Sequence, residues 1–498
     1  MASIHARRRQ QPSQTKRCQS QRRRASAKQR QFQQRQRVRA RRTRRQLQTI
    51  EQQAPPVLRR LTQALRFAFT RPTYYRIVVL LLAALLTVGS HTILNVLRTA
   101  AALNIGHASS YHRVFSRSPW SMWRLGRCLA QWLIEHFVPD GTIFLVGDET
   151  VDGHRGKKVF GKGRHRDAVR SSHSYTAFRY GHKWVVLAVL IRFPFARRQW
   201  ALPVLTVLYR SKDSSKRRHK TPSHLMRQML KVFLHWFPER SIVFAGDGGY
   251  GTHELARTAA RRRRPKRLTL VSRFYADANL YAPPPARASR RVGRPRLKGK
   301  KLPSPERVVA RTQQRQRLNV AWYGGGRRNV KVVTGTGHWY KQGEGLVAVL
   351  WVFVHDCTGT HRDDYFFTTD VSLTATQMIE YFTGRWSIET TFQEMRSYLG
   401  LETTRGRKEE TVLRVAPCLF GLYTVVAALY AQMPARYRRA RLIDWVGKAD
   451  TTFSDAITAV RRWLWQEWVF AIPGHTAAFA KLSRSFRDLL LYGLAPPA

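Results

Sequence analysis

Residues 381–400 of the chain read YFTGRWSIETTFQEMRSYLG. The spacing predicts one helix. Thr374 with Gln377 three residues on makes an N-terminal capping box, and Gly400 is placed to stop it. On such a helix Tyr381, Arg385, Glu389 and Arg396 lie four, four and seven apart and share one face. Met378, Phe382, Ile388, Met395 and Leu399 supply apolar surface for burial. Gly384 costs about 1 kcal/mol inside a helix, so close approach of another segment is expected there. A lone Glu–Arg pair is ordinarily a salt bridge of little worth. Two more acids, distant in the chain, give Glu389 a different reading.

Those acids are Asp148, in the stretch GTIFLVGDET at 141–150, and Asp247, in SIVFAGDGGYG at 241–251. Each ends an apolar run that predicts a buried strand, and each is followed closely by turn-forming residues. One such Asp is commonly a turn or helix cap. Two in nearly identical settings point to the strand mouths where α/β sheets place reacting groups. Further strands are expected at 174–180, 184–193, 202–209, 267–272, 346–355 and 365–369, with helices at 222–237 and 252–264. Between the acids, GHRGKKVFGKGR mimics a phosphate-binding P-loop over 156–162, but Gly163 stands where that motif needs Ser or Thr. It reads as a basic hairpin or loop.

Charge narrows the partners. The 498 residues carry 89 Lys plus Arg against 29 Asp plus Glu, a formal +60, and Glu51 is the only acid before Glu135. Such self-repulsion calls for a polyanion; nucleic acid is the expected one, and anionic membrane is the weaker rival. Residues 1–53 are Arg/Gln-rich, too poor in apolar groups to build a core, and expected to be a disordered basic tail. They are also too basic for a secretory signal. Residues 54–138 predict short helices, at 76–87, 91–103 and 120–137, that suit a helical DNA-binding module or a bundle packed on the next domain. Residues 275–345 predict a basic, β-rich insertion. Within it Arg294 and Arg296 flank a proline in VGRPRLKGKK, suited to a narrow minor groove or to a flexible linker. The four cysteines have no CxxC spacing, which argues against a zinc ribbon or disulfide framework. The apolar run at 415–433 is interrupted by Pro417, Gly421 and Gln432 and predicts a core helix in a C-terminal helical region, 406–498, with no membrane partner.

Phosphodiester chemistry favours hard oxygen ligands around magnesium. Asp148 and Asp247 on strand ends and Glu389 on a late helix would supply them. Strand, strand, helix is also the order of a ribonuclease H-like α/β domain, here expected from 139–274 and 346–405.

In GDET with GKKVFGKG, GDGGYG, LTLVSRFYADANLYAPPP, GRPRLKGKKLP, FFTTD and YFTGRWSIETTFQEMR, the chain resembles the DDE transposases of bacterial insertion sequences. That branch has a Tyr-x-x-Arg-x-x-x-Glu-x-x-x-x-x-x-Lys signature and a β-rich insertion before the Glu. The resemblance implies Asp148, Asp247 and Glu389 as the metal-binding and catalytic triad for Mg2+, with Mn2+ able to substitute. It implies double-stranded DNA as the nucleic acid, with contacts from Tyr381, Arg385, Trp386 and Arg396. Phe382 stands where the signature has Tyr, with Tyr381 one residue early, and Arg396 replaces Lys. The implied activity is cleavage at element ends and 3′-OH strand transfer into target DNA by a homodimer, nucleoid-associated in a bacterial cytoplasm. A nuclease without strand transfer and a non-catalytic DNA-binding derivative are the alternatives.

Overall fold

The computed structural model describes residues 29–496 apart from 32, 36–37, 39–40, 44, 47, 100, 102–105, 168–170, 173, 213–218, 261–266, 286–295, 439–447, 449 and 472–474. Eleven strands form one mixed sheet: β1 (Ile143–Gly153), β2 (Gly163–Arg166), β3 (Phe178–Ile191), β4 (Trp200–Tyr209), β5 (Ile242–Gly246), β6 (Leu268–Arg273), β7 (Leu280–Tyr281), β8 (Gln316–Ala321), β9 (Arg327–Lys341), β10 (Gly345–Asp356) and β11 (Asp364–Thr368).

The heart of the sheet runs β4-β3-β1-β5-β6. β1, β5 and β6 are mutually parallel, whereas β3 and β4 are antiparallel to their neighbours. Three antiparallel strands followed by two parallel ones is the ribonuclease H-like arrangement. The parallel strand β5 is a continuous apolar run, and β6 is buried from Leu268 to Ser272, because helices cover both faces. Beyond β6 the order continues β11-β10-β9-β7, with β8 on the other side of β9. The strands of the 275–345 stretch therefore extend the same sheet, and β9 and β10 pair as a hairpin across its expected boundary.

The principal helices are α1 (Arg71–Leu86), α2 (Met122–Phe137), α3 (Pro222–Trp236), α4 (His253–Ala259), α5 (Ala375–Gly384), α6 (Ser387–Tyr398), α7 (Glu409–Gln432) and α8 (Phe453–Leu464). The first region also carries short helices at Pro56–Leu65, Ile93–Thr99 and Ala108–Ser116. The second of these begins at Ile93, where the Thr92 hydroxyl accepts the Asn95 N–H at 3.3 Å. Packing of the helical region starts upstream of residue 54: Ile50 is buried, and Tyr74 donates to the Glu51 carboxylate at 2.5 Å. The terminal helical regions and the sheet share one hydrophobic core. The guanidinium of buried Arg461 on α8 donates to the carbonyls of Leu85 (3.0 Å) and Thr87 (2.7 Å). It thereby satisfies acceptors that the end of α1 leaves open. Helix α7 is long and apolar enough to cross a membrane, but 72% of its most apolar window is buried inside the fold. Its Thr424 hydroxyl donates to the Pro203 carbonyl of β4 at 2.7 Å.

The helix expected over 374–400 starts and stops where its caps dictate. Thr374 and Gln377 form the reciprocal capping box, and Gly400 adopts the left-handed conformation, φ +59°. In its middle, however, it divides into α5 and α6. The N–H groups of Trp386, Ile388 and Glu389 bond to carbonyls three residues back, at 3.0–3.1 Å, which tightens one turn between the two helices. Gly384 sits just before that turn, and a Cβ there would lie 2.8 Å from the Gln199 side-chain oxygen. Close approach is thus what its missing side chain permits.

Candidate active site

Alternation along β1 places Phe144, Val146, Asp148, Thr150 and Asp152 on one face. The α5–α6 pair runs along that face. Tyr381 packs on Phe144 (ring centroids 5.0 Å), Arg385 reaches Asp148, and Arg396 bonds the Thr150 hydroxyl. The opposite face at Gly147 is closed by α3, since a Cβ there would come within 2.4 Å of Met226 Cε.

The parallel register of β1 and β5 ends at Gly147 opposite Gly246. Asp148 and Asp247 are the next residues on the two strands and stand side by side. The Asp148 carboxylate accepts the Glu149 N–H at 2.7 Å, and that of Asp247 accepts the Gly249 N–H at 2.9 Å. Ser272 of β6 fixes the turn after β5 by donating to the Asp247 carbonyl at 2.7 Å. Glu389, in the first turn of α6, completes the group. The Arg385 guanidinium spans it, with Nη1 2.8 Å from Asp148 Oδ2 and Nη2 3.0 Å from Glu389 Oε1.

The electrostatics follow from three carboxylates sharing one cation. Burial pushes Asp148 up to about 7; Arg385 pulls it down, and the charges on Asp247 and Glu389 push it up again. Burial works against the charge on Arg385, but Asp148, Glu389 and Asp247 together hold it above the ordinary arginine range. The Arg385 Nε is buried without a hydrogen-bond partner. The site therefore carries more negative charge than its own cation neutralises. Its donors are all carboxylate oxygens, the type that hard divalent cations such as Mg2+ and Mn2+ prefer, so the residues fit such ions.

Neighbouring acids are engaged elsewhere. Glu149 pairs with Lys183 and accepts the Tyr250 hydroxyl at 3.2 Å, while Asp152 faces two histidines. Of the other side chains singled out in the sequence, Phe382 stacks on Phe366 (4.1 Å) in the core, and Trp386 is part-exposed at the tightened turn. Tyr381 lies on the Arg385 face but packs on Phe144 and, with Gln199 and Gly384, lines a cavity of about 390 Å³ whose lining includes none of the three carboxylates. Arg396 lies two turns beyond Glu389, and its Nε is 3.4 Å from Glu402, which also accepts Arg179 at 2.7 Å. Arg296 is exposed, and Arg294 lies outside the described residues.

Two residues at the site carry no signal in the sequence. Tyr323, in the turn between β8 and β9, stacks on His361 (5.4 Å) and lies close enough for Arg385 and Glu389 to act on its hydroxyl. Arg273, at the end of β6, extends beside Gly248 and pairs with Asp364 at 2.9 Å. The single loop that brings Tyr323 here is the extension of the sheet by β8 and β9, which no local motif announces. The Gly156–Lys162 loop is not a phosphate cradle: Lys162 Nζ donates to the loop's own Gly156 carbonyl at 2.8 Å.

Residues 64–329 match a family described as the DDE superfamily endonucleases. That span contains Asp148 and Asp247 and ends before Glu389. No curated protein sequence matches. Among solved structures, the cryo-EM piggyBac transposase synaptic complex with hairpin DNA is similar at 10% identity and a TM-score of 0.37, over 86% of this chain and 77% of that one.

Proposed function

The chain belongs to the DDE superfamily endonucleases, and from that premise we propose that it is a DNA transposase cutting at the ends of its element and joining the 3′-OH to target DNA. Family membership implies a divalent metal; the choice of Mg2+, with Mn2+ as substitute, rests on the oxygen-only donor set. One observation carries the reading: the strand register sets Asp148 beside Asp247, and Arg385 ties Asp148 to Glu389 from the facing helix.

Asp148 and Asp247 would hold metal from two adjoining strands and Glu389 from α6. When bound, divalent ions supply positive charge for the attacking and leaving oxygens of an in-line displacement. Arg385 offsets part of the carboxylate charge. Turned from the carboxylates, its guanidinium would donate two parallel hydrogen bonds to a DNA phosphate. Arg273 and Tyr323 flank the same opening and would position the strand. The formal charge of +60 favours long duplex contacts, and pairing two ends calls for two copies, hence a homodimer.

The test uses a plasmid carrying the coding region with the DNA that flanks it on both sides. Wild type with Mg2+ should cut at inverted repeats within those flanks and, given pre-cut ends, produce joined products. Asp148→Ala should retain the DNA in a mobility-shift assay yet make no cuts. Cutting by that variant contradicts the assignment. Cutting without joining supports a nuclease that lacks strand transfer.

A further inference from the structure

At the far end of β1's Asp148 face lies a second cluster, Asp152, His154 and His182. Among the described residues it is the one group of His, Cys, Asp and Glu side chains whose donor atoms all lie within 4.8 Å of one another. Register explains the convergence: Asp152 pairs with His182 across β1 and β3, and His154 follows immediately after β1. Asp152 and His182 are buried, with side chains 0% and 2% exposed, and His154 is 7% exposed.

The hydrogen bonds leave these atoms facing one another. His182 Nε2 lies 2.9 Å from the Phe160 carbonyl, which can only accept, so that nitrogen carries the proton. His182 Nδ1 is then directed at Asp152 Oδ1, 3.4 Å away, yet has no hydrogen-bond partner. His154 Nε2 stands 3.6 Å from Asp152 Oδ2. Each Asp152 oxygen already accepts one bond, from the His182 N–H (3.0 Å) and from the Trp184 indole (3.1 Å). That leaves lone pairs on the side of the imidazoles. A buried carboxylate that faces two imidazole nitrogens calls for positive charge between them, from a proton or a metal ion, and His154 Nε2 also lies 3.5 Å from the Thr404 hydroxyl.

We propose that Asp152, His154 and His182 form a binding site for a single d-block divalent cation, zinc by ligand type, separate from the triad at Asp148, Asp247 and Glu389. Ligands 2.0–2.2 Å from zinc in a tetrahedron stand about 3.3–3.6 Å apart; His182 Nδ1 is 3.4 Å from Asp152 Oδ1 and His154 Nε2 3.6 Å from Oδ2, and the ligand atoms all lie within 4.8 Å of one another, so a small inward shift would close them on one ion. The Nε2–H to Phe160 carbonyl bond is the outer contact that metal-binding histidines use to fix their tautomer. Two nitrogens and a carboxylate suit zinc better than magnesium. His154 also lines a cleft of about 870 Å³ shared by Arg155, Lys162, Arg179, Glu402 and Arg407. Three protein ligands leave a fourth position, and the cleft is where it opens. The ion would pin the basic 154–162 loop to the sheet, since the loop supplies both His154 and the Phe160 carbonyl.

The test is metal content, not cleavage. Full-length protein carrying Asp148→Asn and Asp247→Asn, so that the triad cannot contribute, is desalted without chelator and analysed by plasma mass spectrometry. We expect zinc equimolar with the chain, lost in His154→Ala and in His182→Gln. Cobalt(II) titrated into a portion of this protein stripped with chelator and then desalted should give the intense visible bands of a four-coordinate site, a readout that needs no further variant to fold. Absent zinc together with absent cobalt bands overturns the proposal in favour of a plain imidazolium–carboxylate pair. Zinc that survives both histidine substitutions also overturns it, because the ion then sits elsewhere. Neither result bears on the DNA chemistry assigned to the triad.

Discussion

Asp148→Asn should abolish cleavage while making the metal-free protein more stable at alkaline pH. Asp148 is pushed from 3.8 to about 7, so the fold binds its proton more tightly than the unfolded chain does. The sign follows from linkage: stability from this group is fully present below pH 4 and is lost as pH rises through 7. Three units correspond to about 4 kcal/mol at 1.36 kcal/mol per unit. Asparagine, neutral like the protonated acid, removes that cost, and the lost pull of Arg385 is already contained in the value of about 7. The gain at pH 8 is therefore about 4 kcal/mol. At pH 5 wild-type Asp148 is already protonated in the fold, and the gain falls by about 2–3 kcal/mol to about 1–2 kcal/mol. Thermal denaturation of both proteins in EDTA at the two pH values measures this, beside cleavage assays in Mg2+. A variant that still cuts, or that is less stable at pH 8, or whose difference from wild type is independent of pH, refutes the reasoning.

Arg385→Ala should raise the Asp148 pKa further in the metal-free protein, by about 1–3 units, read from the pH dependence of thermal stability in EDTA; an unmoved dependence would mean that the ion pair does not govern Asp148. Gly147→Ala drives a Cβ to 2.4 Å from Met226 Cε and 2.8 Å from Phe244. It should cost about 1–3 kcal/mol of stability by denaturation and slow cleavage, because β1 must shift beside Asp148. Arg461→Met leaves the carbonyls at the end of α1 without donors and should lower stability by about 1–3 kcal/mol, with cleavage unchanged at temperatures where the protein stays folded.

The site was legible where chemistry is local. Apolar runs ending in Asp148 and Asp247 announce buried strands with a reactive mouth, and the capping box and Gly400 set both ends of the 374–400 segment correctly. The division into α5 and α6 was not legible, because it comes from tertiary forces: Gln199 crowding Gly384, and Arg385 drawn toward Asp148. Periodicity treats the segment as an isolated cylinder and has no term for either. Tyr323 and Arg273 escaped for the same reason, since each reaches the carboxylates only through sheet pairing across long sequence separations. The cluster at Asp152 was hidden too. Its third member, His182, arrives by cross-strand register, and a search for closely spaced cysteines and histidines passes over it.

The most direct measurement of the central claim is anomalous scattering from crystals of the protein soaked in Mn2+. The account predicts density for the ion contacting the carboxylates of Asp148 and Asp247 and reached by Glu389, with the Arg385 guanidinium withdrawn from both. Crystals in which Arg385 still clamps Asp148 and Glu389, and manganese binds nowhere on these three residues, would contradict it.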